Sequence, residues 1–266
     1  MYTSNNTLTE GFPSIDCTEL RAVCPDFVGA AVCARIQNSA YSDALWQEIE
    51  HFIADYRQRY TVDSIKEMPA IQATRDAYRR CGKDPSRYRP SGEALIRRTL
   101  QGKPLYQVNT VVDLINLASI AFGYSIGGFD ADKIEKKGGE EIKDKRLEIR
   151  DKVTSESNHN SYLSSFISYL TSALFLGIGR EGEPYEGIGR GPLNIAGLPV
   201  YRDAVGGIGT PTSDHERTKL SLDTTHLLAI VNGYDGNRAN TLSCAQFIQE
   251  LLRKYAASDG GVIIEF

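Results

Sequence analysis

The chain has 266 residues, 41% apolar and 24% charged, and a formal net charge of −4. That length suits one large domain, or a domain with an insertion, and the composition excludes wholesale disorder and a generally basic coat for nucleic acid. Five cysteines (Cys17, Cys24, Cys33, Cys81, Cys244), odd in number and without Cys-x-x-Cys or zinc spacing, read as reduced thiols of a cytoplasmic protein.

Residues 1–20 are polar and read as a loose lead-in, with no basic-then-apolar run of the signal-peptide kind. Asp26 to Ile36, rich in Val and Ala, reads as a buried strand. Ser42 to Arg59 reads as an amphipathic helix, with Leu45, Ile49, Phe52, Ile53 and Tyr56 at helical spacing. A second helix runs from Ala70 to Arg80 and stops at Gly82. Ser91 is read as the N-cap of a short helix over Ala94 to Leu100, and Asn109 to Ala121 as a helix with a nearly continuous apolar face. Ser125 to Phe129 is a short extended run.

Residues 135–172 differ in texture and read as a charged helical insertion. From Glu140 to Lys152 ten of thirteen residues are charged, which predicts a solvent-exposed helix packed by one edge. Tyr162 to Leu176 turns apolar, though it is too short and too rich in Ser and Thr to span a bilayer, so no membrane role is expected. Half of the 24 glycines fall between Gly177 and Gly236, a region of strands and tight turns. Leu193 to Ile195 and Leu198 to Tyr201 read as strands, Gly206 to Gly209 as a tight loop and His226 to Asn232 as a buried strand. Ala239 to Tyr255 reads as an amphipathic helix and Gly261 to Phe266 as a last strand, which makes the fold class α+β, a mixed α/β layering of sheets and helices.

Three constellations bear on chemistry. Between Arg75 and Lys103 stand nine basic residues against three acidic ones, a local +6 in a chain of −4. Arg75, Arg79, Arg80, Lys83, Arg87, Arg89, Arg97 and Arg98 are therefore either a phosphate-binding patch, with Tyr78 and Tyr88 to stack on unpaired bases, or a solvated face with internal ion pairs. Gly177-Ile178-Gly179-Arg180-Glu181-Gly182 matches the dinucleotide fingerprint, but no helix signal follows it and its acidic residues repel phosphate. The run Gly206 to Thr218 offers backbone N–H groups, the hydroxyls of Thr210, Thr212 and Ser213, and charged groups at Asp214, His215 and Glu216, with Asp223 nearby. It is either an oxyanion-holding, water-positioning loop or a polar surface turn. The four histidines show no paired metal spacing, so neither metal nor cofactor is expected.

The segments Arg75-Asp-Ala-Tyr-Arg-Arg-Cys-Gly-Lys-Asp-Pro85, Arg89-Pro-Ser-Gly-Glu-Ala-Leu-Ile-Arg-Arg98, Val108 to Asn116 and Gly127-Gly-Phe-Asp-Ala-Asp-Lys-Ile134 carry a resemblance. They are similar to the B3/B4 domain of the phenylalanyl-tRNA synthetase beta subunit in a stand-alone form, and the likeness resumes from Gly177 to Asn232. The resemblance implies a pocket that hydrolyses tyrosine wrongly attached to the phenylalanine tRNA, with aminoacylated tRNA as partner and no stable synthetase partner. It implies pocket residues at Asn109, Asp113, Gly127, Gly128, Gly206, Gly207, Thr210 and Ser213, with Asp223 as the acidic group and His215 as a substitute base. The family's pocket histidine is matched here by Gly127, which opens two alternatives to an editing hydrolase: a non-catalytic tRNA-binding module, and an amino-acid-binding protein that reuses the pocket.

Overall fold

Two central strands set the architecture. The computed structural model describes residues 15–136 and 168–266. Strand β1 (Val28–Arg35) pairs antiparallel with β8 (His226–Gly233), β8 with β2 (Ile126–Asp130), and β1 with β9 (Val262–Glu265), giving the order β2-β8-β1-β9. Strand β8 is buried along its whole length and β1 nearly so. Both faces of this sheet are therefore covered, which is why these strands read as continuous apolar runs rather than alternating ones.

Ala30, Val32 and Ala34 of β1 face a helical layer made of α2 (Asp43–Arg59), α5 (Thr110–Phe122) and α6 (Arg238–Tyr255), packed through Leu45, Leu114, Ala118 and Ile248. Ala31 and Cys33 face the opposite way, towards the second sheet: β3 (Phe175–Ile178), β6 (Pro199–Arg202) and β7 (Gly207–Gly209), with Leu176, Tyr201 and Ile208 in that core. The small residues on β1 let both layers approach the sheet closely. A two-residue hairpin, β4 (Glu186–Gly187) with β5 (Gly191–Pro192), stands beside this second sheet. The fold is α+β, in layers of helices, sheet and sheet.

Local chemistry sets the helix starts. Ser42 accepts a hydrogen bond from the Leu45 N–H, and Asn109 one from the Val112 N–H, so Asn109 is the N-cap of α5 rather than its first turn. Gly123 ends α5 in the left-handed conformation at φ 77°. Helix α3 spans Pro69–Arg80 and α4 spans Ser91–Leu100. Ser91 does not cap α4 as its sequence position suggests: it is the first helical residue, and its N–H donates to the Pro211 carbonyl at 2.7 Å. A tertiary acceptor replaces the side-chain cap and docks α4 onto the loop at 210–214.

Other expectations shift with packing. Ile15, Cys17 and Leu20 are buried and Thr18–Arg21 forms a short helix, α1, so the chain joins the core before the end of the expected lead-in. Leu193 to Ile195 lies outside the strands, and Gly206, at φ 154°, forms the turn from which β7 starts. The G-x-G-x-x-G run begins in β3 and continues into a turn, with no helix. The charged stretch at 140–152 lies outside the described residues, whereas residues 168–173 are helical and bring Leu170 and Ala173 into the core around the second sheet. Among the described residues no helix is long and apolar enough to cross a membrane.

Candidate functional site

The start of α4, the turn between β4 and β5, the middle of α5 and the loop at 210–214 enclose a pocket of about 440 Å³. Its polar lining includes Ser91, Arg98, Asn116, Arg190, Ser213 and Asp214, and its apolar walls include Leu95, Tyr106, Ile126 and Ile188. A mostly apolar cleft with a few convergent polar groups is the usual form of a small-ligand site.

Two buried tyrosines hold the 210–214 loop rigid. The Tyr78 and Thr212 hydroxyls lie 2.8 Å apart, and the Tyr185 hydroxyl donates to the Ser213 carbonyl at 2.7 Å. Burial pushes both phenols up from the ordinary tyrosine value, so they stay protonated and able to donate. Thr210 Oγ1 accepts from the Thr212 and Ser213 N–H groups, while the Thr210 and His215 N–H groups donate to the Ser213 and Ile208 carbonyls. The amides at 210, 212, 213 and 215 expected to face an oxyanion are thus consumed within the fold. The cationic residues that line the pocket are Arg98 and Arg190.

Asp214 is the ionisable group at the pocket's inner end. Its Oδ2 accepts from the Gly128 N–H at 3.0 Å. The residue keeps some surface towards the cavity, yet its carboxyl lies deep among protein atoms. Burial raises its pKa to about 7, and the Gly128 hydrogen bond opposes this only in part. Glycine at two positions makes room for this group. A β-carbon at Gly127 would stand 2.6 Å from the Phe129 ring and 3.4 Å from Asp214 Oδ1, and one at Gly209 would stand 2.4 Å and 3.1 Å from the same two groups. The volume a histidine would take at position 127 is already filled by Phe129 and bordered by the Asp214 carboxylate.

The other expected site residues separate into groups. Thr210 and Ser213 line the pocket, and Gly127 and Gly128 contact Asp214. Asn109 is occupied as a helix cap, and Asp113 is buried, its carboxylate accepting from Trp46 Nε1 at 2.9 Å and the Val108 N–H at 3.1 Å. Asn116 and Ser119, further along α5, supply the lining instead. Gly206 and Gly207 lie at the β6–β7 turn, where the Asp203 carboxylate accepts from the Val205 and Gly206 N–H groups. His215 follows Asp214 but turns away: its Nδ1 accepts from the Arg217 N–H, and its ring meets Tyr185 edge-on at 4.9 Å. Burial first, then Arg217, lowers its pKa and keeps it neutral. Asp223 is exposed in the turn before β8 and is not among the lining residues.

The basic segment divides as well. Glu93 is 1% exposed and draws in Arg75 at 2.9 Å, Arg97 at 3.3 Å and Arg89 at 3.5 Å. Three guanidiniums around one carboxylate leave a local surplus of two positive charges. Lys83 is buried, donates to the Asn194 carbonyl at 2.8 Å and sits 3.7 Å from the centre of the Tyr88 ring. Tyr88 is half-buried, packed on the cluster of Tyr185, Ile195 and Leu198 with the Lys83 cation on its ring, and Tyr78 is fully buried, so neither presents an open stacking surface. Arg79 and Arg87 are exposed, paired with Asp76 and Asp84 one helical or loop turn away, and Arg80 is exposed. Exposed pairs of this kind are weak and yield readily to a phosphate.

Asp214 was legible as one of the charged residues of the loop, but its priority over Asp223 and His215 was not. Which of three acids or bases turns inwards depends on the β7 register, in which Gly209 bridges Asp214. Tyr106, Asn116, Ser119 and Arg190 carried no separate signal, because they come from three separate places, the α4–α5 loop, α5 and the β4–β5 turn.

Comparison with known proteins agrees with this architecture. A family model described as the B3/4 domain matches residues 73–251, and no curated protein matches the chain. Since the match spans well over half of the sequence, the chain belongs to the B3/4 domain family, whose domain is found in the phenylalanyl-tRNA synthetase beta subunit.

Proposed function

We propose that the pocket receives the aminoacyl end of a charged tRNA and hydrolyses its ester. The observation that carries this reading is Asp214: an enclosed carboxyl with a pKa near 7, at the inner end of a cleft sized for an amino acid. A base titrating close to the working pH combines a useful deprotonated fraction with real proton affinity. In the proposed step the Asp214 carboxylate takes a proton from a water whose oxygen attacks the ester carbonyl carbon. Arg190 offsets the negative charge that develops on the carbonyl oxygen. The bond from that carbon to the ribose oxygen then breaks, the proton passes to the ribose oxygen, and free amino acid and tRNA result. The B3/4 domain is associated with tRNA binding and editing in the phenylalanyl-tRNA synthetase beta subunit, and the exposed Arg79, Arg80 and Arg87 suit the phosphate backbone of such a substrate.

The test is deacylation of tyrosyl-tRNA bearing the phenylalanine anticodon, with phenylalanyl-tRNA as control. Selective loss of the tyrosyl ester above the spontaneous rate is the expected result. No loss, with tRNA still bound, would point to a binding module without the chemistry.

A second reading is favoured by one specific observation: Arg75, Arg89, Arg97 and Lys83 are held by Glu93, Asn194 and Tyr88. Here the pocket binds a free amino acid, its ammonium on Asp214 and its carboxylate on Arg98 or Arg190, without RNA. Saturable binding of free amino acid with no measurable tRNA affinity at about 50 mM salt would select it.

A further inference from the structure

Tyr106 lines the pocket yet is 67% exposed, the most exposed large apolar side chain among the described residues. It stands in the loop between α4 and α5. The guanidinium of Arg98 lies 4.0 Å from its ring centroid, and Arg98 Nε donates to the Pro104 carbonyl. That bond to the same loop holds the cation over one face of the ring. The exposure of Tyr106 therefore belongs to the other face and the edges. Ile188, 40% exposed, comes from the turn between β4 and β5 and lines the same pocket. The mouth is thus aromatic and aliphatic, while Asp214, Thr210 and Ser213 make its other end polar.

The geometry points to a stacking seat for a nucleobase on the open face of Tyr106, backed by Arg98, so that the ligand is an aminoacyl-nucleoside rather than an amino acid alone. This inference rests on the reading of the pocket as an aminoacyl-ester site. A ligand with its ester at one end and a flat, weakly polar ring beyond it matches a pocket with Asp214, Thr210 and Ser213 at its polar end and an open tyrosine at its mouth. Every base offers a π-face, so a single ring seats it without reading its edges. The fixed cation beneath the tyrosine strengthens the platform without occupying the stacking face. An aromatic amino-acid side chain is the competing occupant, and the two differ in what the nucleoside adds to affinity.

The experiment titrates the full chain with two non-hydrolysable probes, 3′-deoxy-3′-(tyrosylamino)adenosine and tyrosinamide, which lacks the nucleoside. The adenosine probe should bind the parent protein more tightly. Tyr106→Ala should weaken it roughly tenfold or more, the usual loss on removing a base-stacking ring, while tyrosinamide binding stays unchanged. Tyr106→Phe, which keeps the ring, should bind both probes as the parent does. Equal weakening of both probes by Tyr106→Ala would overturn the inference and make Tyr106 a wall for the amino-acid side chain. Unchanged binding of both would also overturn it. If neither probe binds the parent protein, the aminoacyl reading of the pocket fails and the seat fails with it.

Discussion

The side chain on which the chemistry depends also carries a stability signature. The folded state holds the Asp214 proton up to about pH 7, whereas an unfolded chain releases an aspartate proton near pH 4. Between those values the folded protein binds more protons than the unfolded one. The contribution of Asp214 to stability therefore falls as pH rises from about 4 towards 7, and is flat outside that window. Asp214→Asn removes the charge while keeping an acceptor for the Gly128 N–H. Its urea midpoint should exceed that of the parent at pH 8 and converge with it at pH 4. The same substitution should cut deacylation by about 10²–10⁴-fold, and the parent rate should climb with pH and level off above 7. Identical midpoint differences at both pH values would remove Asp214 as a group that titrates in the fold.

Between elements, the weight falls on the junction of α3 and α4. Glu93 on α4 is buried and collects Arg75 from α3, Arg89 from the loop before α4 and Arg97 from its own helix. Leaving guanidiniums without their counter-charge costs far more than losing an exposed pair. Glu93→Gln should lower stability by about 2–4 kcal/mol in urea denaturation, moderated because the three arginines keep part of their surface in water. Arg79→Ala, by contrast, should change stability by less than about 1 kcal/mol, since both partners of its pair are exposed. A Glu93→Gln variant as stable as the parent would show that the cluster is solvated and its charges screened. Legibility tracks this division. The ends of α2 and α3 lay in local chemistry, whereas Ser91 is tied by the Pro211 carbonyl 120 residues away in sequence, a partner no local rule supplies.

Across the whole molecule the exposed basic residues make a measurable prediction. Changing Arg79 and Arg87 together to Ala should weaken tRNA binding and reduce the slope of log K against log salt by about 1–2. Lys83→Ala should leave that slope unchanged, because its ammonium is already spent on the Asn194 carbonyl and the Tyr88 ring. An equal slope in the parent and the Arg79/Arg87 variant would take these residues out of the tRNA surface. Helices α2 to α6, the strands β1, β2, β8 and β9, the α+β class and the family were legible in the sequence, because periodicity and glycine turns are local properties and the motifs from Arg75 to Ile134 are contiguous; α1, β3 and the β4–β5 hairpin were not. The pocket was not, because its lining is drawn from α4, α5, the β4–β5 turn and the 210–214 loop. Charge counting could place nine basic residues in one segment but could not say that Glu93 would gather three of them, that Lys83 would be buried, or that Arg98 would turn to the pocket. Nor could it rank Asp214 above His215 and Asp223, since burial, which sets both the pKa and the direction of a side chain, exists only once β2, β7 and α5 have packed around it.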